Sequence, residues 1–382
     1  MPIIGRQAGT TMTDHAQSWH MDMKALLRVA LEREASDLHL KPGQPPILRI
    51  DGDIHVTDHA TLGPADVLEL ARQIMDERVH RLYLEVGSVD FSHETEAGDR
   101  FRVNVYRQRG VTSVSARRVS RNIQTFTQLH LPKETLERIC QIRQGLIIFS
   151  GVTGTGKSTS IAACLDYINA HRRCHIVTLE DPIEYLFEDK QAFVNQREIG
   201  TDVASYEVAL KFLLREDPDV VLVGEMRTRD DVEGVLRAAE TTRLVFTTVH
   251  AASAPGVVTR ILDLFEAQDH HVLRESLAHS LVAIICQKLV PAADPNVARV
   301  PATEVMLATP TVRKAIRDGD EGHLPSVVAA GGDVGMHDFT QDLVRLVREE
   351  WIDPKDAYEG APSPEALKMA IRGIDVKRGA LR

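Results

Sequence analysis

The sequence predicts an α/β protein: a doubly wound, parallel-sheet core behind a separate α+β domain, with a helical portion at the end of the chain. Three observations predict it. From about residue 130, short continuous apolar runs alternate with longer helical stretches, as expected of strands buried on both faces and covered by helices. Before that point apolar and polar residues alternate singly, as in antiparallel strands with one wet face. A glycine-rich segment, residues 151–159, stands between a buried strand and a helix, at the carboxyl end of a strand where such sheets carry their ligands.

Taken in order, residues 1–20 are polar, rich in Thr, His and Gly and without periodicity, and read as a flexible arm. A helix follows with Leu26, Leu27, Val29, Ala30 and Leu31 clustered on one side. Asp37 to Leu40 and Ile47 to Ile50 read as short strands, and Asp51-Gly52 as the turn to a third. Leu68, Ala71, Ile74 and Met75 give helical spacing over Pro64 to Leu84. Strands then cover Asp90 to Ser92, Arg100 to Tyr106 and Val111 to Val119. The α+β domain is assigned to residues 21–122 and the core domain to 123–382. Core strands are predicted at Gly145 to Ser150, His175 to Leu179, Val220 to Val223 and Leu244 to Thr248, with a helix over Ile161 to Ala170. From about residue 290 the chain is expected to be helical, through Thr311 to Asp318, His337 to Glu349 and Pro354 to Glu359.

Composition narrows the function. The chain has 382 residues, 43% of them hydrophobic, enough for two compact domains. A net charge of −10 argues against a general nucleic-acid binder, whose grip on phosphates needs a basic surface. The four cysteines, Cys140, Cys164, Cys174 and Cys286, are scattered with no C-x-x-C pair, and read as small reduced core residues. No apolar run approaches the ~20 residues of a membrane span; the nearest, Leu281 to Cys286, is short and flanked by polar residues. The N-terminus lacks the basic-then-apolar layout of a secretion signal. A cytoplasmic location is expected, with any membrane contact made through partners.

Gly151-Val152-Thr153-Gly154-Thr155-Gly156-Lys157-Ser158-Thr159 fits the phosphate-loop pattern G-x-x-x-x-G-K-[ST] in its proper strand–loop–helix setting. Glycines let the backbone turn its N–H groups onto phosphate oxygens, and the helix N-terminus favours the anion. Lys157 is assigned to the β and γ phosphates of ATP, and the Ser158 hydroxyl to Mg²⁺. Two further strands end in acids. Glu180-Asp181-Pro182-Ile183-Glu184 follows one; three acids at one strand end would repel without a cation. Asp217 to Glu225 contains the other, with Gly224 standing where most P-loop enzymes carry the aspartate that supports Mg²⁺. Glu225 then either polarises the attacking water or holds a water of the Mg²⁺ shell. Thr247-Thr248-Val249-His250 ends a third strand, and His250 is placed to sense the γ-phosphate or couple hydrolysis to movement.

These motifs resemble the secretion-type ATPases of the type IV pilus retraction branch, over about residues 23 to 372. Ala35 to Leu40 with Gly43 to Pro46 and Arg49 to Gly52 looks like the family's N-terminal signature, and Arg100 to Asn104 with Arg107 and Arg109-Gly110 like its arginine-bearing strand pair. Thr178 to Tyr185 resembles its aspartate box, Asp217 to Arg227 its Walker B segment, and Ala238 to Ala254 its histidine box. Ala315-Ile316-Arg317 and Gly335-Met336 resemble C-terminal landmarks. The resemblance implies a RecA-like P-loop NTPase core with a PAS-like N-terminal domain, assembled as a homo-hexamer. It implies Glu184 as general base, Glu225 as the Walker B carboxylate and a metal-site residue with Ser158, and His250 as the coupling residue. Arg102, Arg109 and Arg117 become candidates to reach a neighbour's nucleotide. Implied partners are an inner-membrane pilus platform protein and a paralogous retraction ATPase.

Two departures stand out. Thr242-Arg243 replaces the family's Gly-His, taking a second histidine from the expected site and leaving Arg243 as a possible phosphate contact; Thr247-Thr248-Val249-His250 replaces Gly-Thr-Leu-His. The Thr242-Arg243 departure keeps open a nucleotide-binding accessory subunit of weak turnover. A pilus-assembly or type II secretion ATPase is disfavoured because no paired cysteines follow Glu225, where such relatives carry a zinc insert. A nucleic-acid translocase suits the fold but not the acidic charge.

Overall fold

The computed structural model describes residues 22–241 and 243–373; the arm expected over residues 1–20, and Thr242, lie outside the described residues. The chain divides into two compact units between Arg118 and Val119.

The first unit runs α1 (Met23–Glu32), β1 (Asp37–Leu40), β2 (Ile47–Ile50), β3 (Asp53–Val56), α2 (Pro64–Arg72), α3 (Glu77–Val86), β4 (Ser88–Glu94), β5 (Arg100–Gln108) and β6 (Val111–Arg118). Its strands form one antiparallel sheet in the order β3-β2-β1-β6-β5-β4. Alternation sorts the faces. Leu38, Leu48, Phe101, Val103, Val105, Val114 and Ala116 point to one side and pack with Leu26, Leu27, Val67, Leu70 and Tyr83 of the helices. The single helix expected over Pro64 to Leu84 is two. Apolar spacing continues through Ile74 and Met75, but the Asp76 carboxylate accepts from the Val79 N–H at 2.7 Å and starts α3 afresh.

The second unit runs α4 (Lys133–Cys140), β7 (Gly145–Ser150), α5 (Lys157–His171), β8 (His175–Glu180), β9 (Phe193–Glu198), α6 (Tyr206–Leu213), β10 (Val220–Val223), α7 (Arg229–Glu240), β11 (Leu244–Val249), α8 (Ala254–Leu262), α9 (His270–Ser280), β12 (Leu281–Pro291), β13 (Arg299–Leu307), α10 (Pro310–Asp318), α11 (Leu324–Ala330), α12 (Phe339–Arg348), α13 (Pro354–Gly360) and α14 (Pro364–Ile371). The sheet order is β13-β12-β7-β11-β10-β8-β9, parallel throughout except for the β12–β13 pair. Every residue of β7, β10 and β11 is buried, as their unbroken apolar runs require. Helices cover both faces: Ile161, Leu165 and Ile168 of α5 pack on one, Val232, Val235, Val258 and Leu277 on the other.

Three strands went unread in the sequence, and the helices expected from about residue 290 begin only at Pro310. The apolar run at Leu281 is not a short isolated stretch but the start of an eleven-residue strand. Its partner β13 returns antiparallel, so the central sheet gains a two-stranded flank. β9 is an edge strand whose residues alternate in exposure, and its polar composition hides it.

Gly145 fixes how closely β12 approaches β7. Its φ is 122°, and a Cβ there would stand 2.5 Å from the Val282 side chain and 2.7 Å from the Ser280 carbonyl oxygen. Gly145→Ala is expected to cost about 2–3 kcal/mol of unfolding free energy. Gly332→Ala, at a glycine with open space around its Cα, should stay within about 0.5 kcal/mol. Urea midpoints of the two variants check this.

Candidate nucleotide-binding site

The phosphate loop leaves β7 at Ser150 and enters α5 at Lys157. Its shape depends on the strand beneath it. A Cβ on Gly151 would lie 2.5 Å from the Gln287 carbonyl oxygen and 2.8 Å from the Thr155 hydroxyl; one on Gly156 would lie 2.9 Å from the Gln287 amide nitrogen. The buried Gln287 side chain donates from Nε2 to the Thr155 carbonyl at 2.7 Å and accepts from the Ser160 hydroxyl at 2.8 Å. It therefore ties the carboxyl end of the loop and the first turn of α5 to β12. Sequence reasoning missed it; the available signal was a lone amide inside an apolar strand. The Thr159 hydroxyl lies 2.8 Å from the Tyr185 hydroxyl, which links α5 to the segment after β8.

Lys157 folds back on its own loop. Its Nζ donates to the carbonyls of Gly151 at 2.9 Å and Val152 at 3.1 Å. Burial lowers its ammonium below the ordinary value, and the fields of Glu225 and Glu184 oppose that shift. The Gly151 carbonyl also receives His250 Nδ1 at 3.0 Å, and His250 Nε2 lies 3.2 Å from Glu225 Oε1. Both partners of the ring are acceptors, so it satisfies both only when each nitrogen carries hydrogen. The other carboxylate oxygen of Glu225 takes two contacts of 2.8 Å from the Arg227 guanidinium. The Ser150 hydroxyl meets the carbonyls of Val249 and Ala251 at 2.8 and 2.9 Å, which locks the end of β11 beside the loop.

The segment after β8 is organised by a buried acid. Burial pushes the Glu180 carboxyl up to about 7, against the donors Thr178 Oγ1 at 2.6 Å and Gln196 Nε2 at 3.2 Å. Its second oxygen receives the Glu184 backbone N–H at 3.4 Å, and Glu184 itself is exposed. Tyr206, at the start of α6, reaches the same region. Burial, with Asp181 and Glu180 adding to it, raises its phenol well above the ordinary value and keeps it neutral.

So the structure brings Gly151 to Thr159, Glu184, Glu225 and His250 to one end of one sheet. It does not group the arginines. Arg102 and Arg117 face each other across β5 and β6, and Arg117 Nε is bound to the buried Asp37 at 2.8 Å. Burial alone would raise the Asp37 carboxyl, but Arg117 and the Ser36 hydroxyl outweigh it and hold it below the usual range. Arg109 sits in the two-residue hairpin turn with φ 51°, roughly 20 Å along the strand from Arg102. All three belong to the first unit. Arg243 requires a correction. It precedes β11, where its carbonyl accepts from the Gly145 N–H, and its guanidinium donates to the Thr241 carbonyl at 2.6 Å. That is the amino end of the strands, a strand length of roughly 20 Å from His250. Within this chain it is no phosphate contact, and a histidine there would not stand beside the loop.

The chain matches the type II/IV secretion system protein family over residues 13–324. It is 38% identical to the type IV pilus retractation ATPase PilT of Pseudomonas aeruginosa, across 90% of this chain and 99% of that one. It is 36% identical to the type IV pilus ATPase PilU of the same organism, across 92% of each. A crystal structure of the pilus retraction motor PilT with bound ADP superposes with a TM-score of 0.83 at 40% identity, covering 91% of this chain and 99% of the other.

Gln287→Ala frees the carboxyl end of the phosphate loop from β12. ATP affinity, read by titration with a fluorescent analogue, should fall about tenfold, matching about 1.4 kcal/mol for the lost buried hydrogen bonds. Glu180 gives a pH signature. Its carboxyl lies at about 7 folded against 4.5 ordinarily, so the folded state holds an extra proton between those values. The stability it contributes is full below pH 4.5 and is lost as pH rises through 7. Glu180→Gln should abolish that slope and raise unfolding free energy at pH 8 by on the order of 3 kcal/mol relative to the parent, measured by denaturant melts across pH 4–8.

Proposed function

The chain belongs to the type II/IV secretion system protein family, and on that premise we propose that it is an ATP-hydrolysing motor that powers type IV pilus retraction. The observation that carries the reading is the unbroken line from the phosphate loop through His250 to Glu225, with contacts of 3.0 and 3.2 Å. It gives a change at the nucleotide a direct route to the Walker B carboxylate. The near-complete coverage of a retraction ATPase at 38% identity sets the substrate and the work.

In this reading Lys157 exchanges its carbonyl partners for phosphate oxygens of ATP, beside the backbone of Gly151 to Thr159. A Mg²⁺ fits the residues present. The Ser158 hydroxyl opens α5, and Asp181, Glu184 and Glu225 offer hard oxygen donors at the ends of β8 and β10. Among the described residues no group of three His, Cys, Asp or Glu side chains forms a cage, and Mg²⁺ does not need one, since it rides with nucleotide phosphates and its own waters. When bound, it neutralises charge on those phosphates. Ser158 and Glu225 would hold it. Glu184, exposed at the rim, takes the proton of the attacking water, and His250 passes the change of state to Gly151.

The unit of action is a homo-hexamer in which Arg102, Arg109 or Arg117 of one subunit approaches a neighbour's phosphates; Arg117 must first leave Asp37. Among the described residues no helix is long and apolar enough to cross a membrane. In this reading the motor works from the cytoplasm on an inner-membrane platform protein, alongside a paralogous ATPase, and without nucleic acid. An accessory subunit of weak turnover drew on the Thr242-Arg243 departure; the place of Arg243 at the amino end of the strands favours the motor over it.

Steady-state ATP hydrolysis by the purified chain tests the reading. Mg²⁺-dependent turnover should fall at least about 100-fold in both Glu225→Ala and Glu184→Gln. Tight ATP binding by the parent chain with negligible turnover would replace the motor with the accessory subunit.

A further inference from the structure

β10 ends without the side chain that P-loop sites ordinarily place there. Val223 is followed by Gly224, whose N–H is bound to the Leu179 carbonyl at 2.8 Å and whose carbonyl accepts from the Thr248 hydroxyl at 2.7 Å. The backbone of residue 224 is thus held from both neighbouring strands at the point where a metal-supporting aspartate would project. The space that its Cβ would enter is filled. An ideal Cβ on Gly224 would stand 2.6 Å from the Tyr206 phenol oxygen and 3.6 Å from the ring carbon that bears it.

Tyr206 reaches this point because α6 begins there. Ser205 caps the helix by accepting from the Val208 N–H, so Tyr206 is the first helical residue. Its ring packs against the apolar cluster beneath α7, and its hydroxyl projects among Asp181, Glu180, Glu225 and Arg227. A phenylalanine would fill the apolar part of this place equally well. The hydroxyl is what the packing does not require.

We propose that Tyr206 is a positioning residue of the nucleotide site, its phenol oxygen standing in for the side chain absent at residue 224 and accepting a hydrogen bond from the water shell of the divalent cation that accompanies the nucleotide. The inference rests on the ATPase reading above and deepens it. A hydrated Mg²⁺ is bound as much through its waters as through direct ligands, and a neutral hydroxyl among carboxylates can donate to one oxygen and accept from a water. The close approach also makes a specific demand: residue 224 stays glycine as long as residue 206 carries its hydroxyl.

Tyr206→Phe removes one oxygen and keeps the ring, so the test uses the full chain. ATP binding is titrated with a fluorescent analogue, first without divalent cation and then against increasing Mg²⁺, with a thermal melt of each protein. The expected result is unchanged melting and unchanged Mg²⁺-free affinity, with the half-saturating Mg²⁺ concentration raised at least threefold. A half-saturation point equal to that of the parent chain overturns the proposal. A double-mutant cycle tests the geometry separately. Gly224→Ala should lower the melting point in the parent background and lose most of that effect when combined with Tyr206→Phe. An equal drop in both backgrounds also overturns it. If the parent chain binds ATP with no response to Mg²⁺, the ATPase reading fails and takes this proposal with it. A Mg²⁺ response in the parent that Tyr206→Phe leaves untouched removes only the role of Tyr206.

Discussion

The carbonyl oxygen of Gly151 accepts from two side chains that belong to different parts of the site, Lys157 at 2.9 Å and His250 at 3.0 Å. Most of the arrangement follows from that shared acceptor. Lys157 is a buried ammonium with no carboxylate in direct contact among the described residues, and the loop carbonyls solvate it. When phosphate oxygens replace them, Gly151 loses one of its two donors and its bond to His250 changes in strength. His250 is joined to Glu225, and Glu225 to Arg227. In the motor reading, a ligand event at the loop would be carried to the end of β10 through these contacts, with no movement of the sheet required.

That chain works only if the loop itself stays in place, and the part of the molecule that holds it is the part the sequence disclosed least. β12 runs beneath the loop, and Gln287 ties it there from one side. The adjacent Lys288 points to the other side. Its ammonium lies 4.2 Å from the centre of the Phe339 ring on α12 and donates to the Gly360 carbonyl at the end of α13 at 3.3 Å. A cation over an aromatic face and at a helix carboxyl end is favoured by both surroundings. The C-terminal helices are therefore a buttress for the floor of the nucleotide site, and a shift of α12 or α13 has a two-residue path to the phosphate loop.

The legible parts of the sequence were those in which one physical requirement dominated. β7, β10 and β11 must be buried on both faces, so they read as unbroken apolar runs. The phosphate loop must turn tightly against a neighbour, so its glycines sit at fixed spacing. Where two requirements compete, the reading failed. β12 must be apolar for the sheet yet polar beneath the loop, so Gln287-Lys288 interrupted the run and disguised a strand. β9 is an edge with little apolar content. The helix over Pro64 to Leu84 kept its periodicity across a break that Asp76 imposes by capping. Arg243 was misjudged because adjacency to His250 in sequence means a full strand length in space when a buried strand lies between.

Electrostatics explain why the site can wait in this form. Acids end β8 and β10, and left alone they would repel one another. Burial instead separates their behaviour: Glu180 sits near neutrality with its carboxyl at about 7, while Glu225 is paired with Arg227 and His250. The cations are matched in turn, Lys157 by carbonyls and Arg227 by Glu225. The resting site thus holds Lys157 on loop carbonyls and Glu225 on Arg227, contacts to charged groups of about 1.5–3 kcal/mol each. Phosphate oxygens would add opposite charge where Lys157 now meets neutral carbonyls. In the motor reading, an arriving nucleotide would exchange the neutral carbonyl partners of Lys157 for anionic ones, and the difference would be available to rearrange His250 and Glu225. A Lys157 already held in a buried ion pair would have no such margin, because breaking that pair would leave an uncompensated charge and cost about 3–5 kcal/mol.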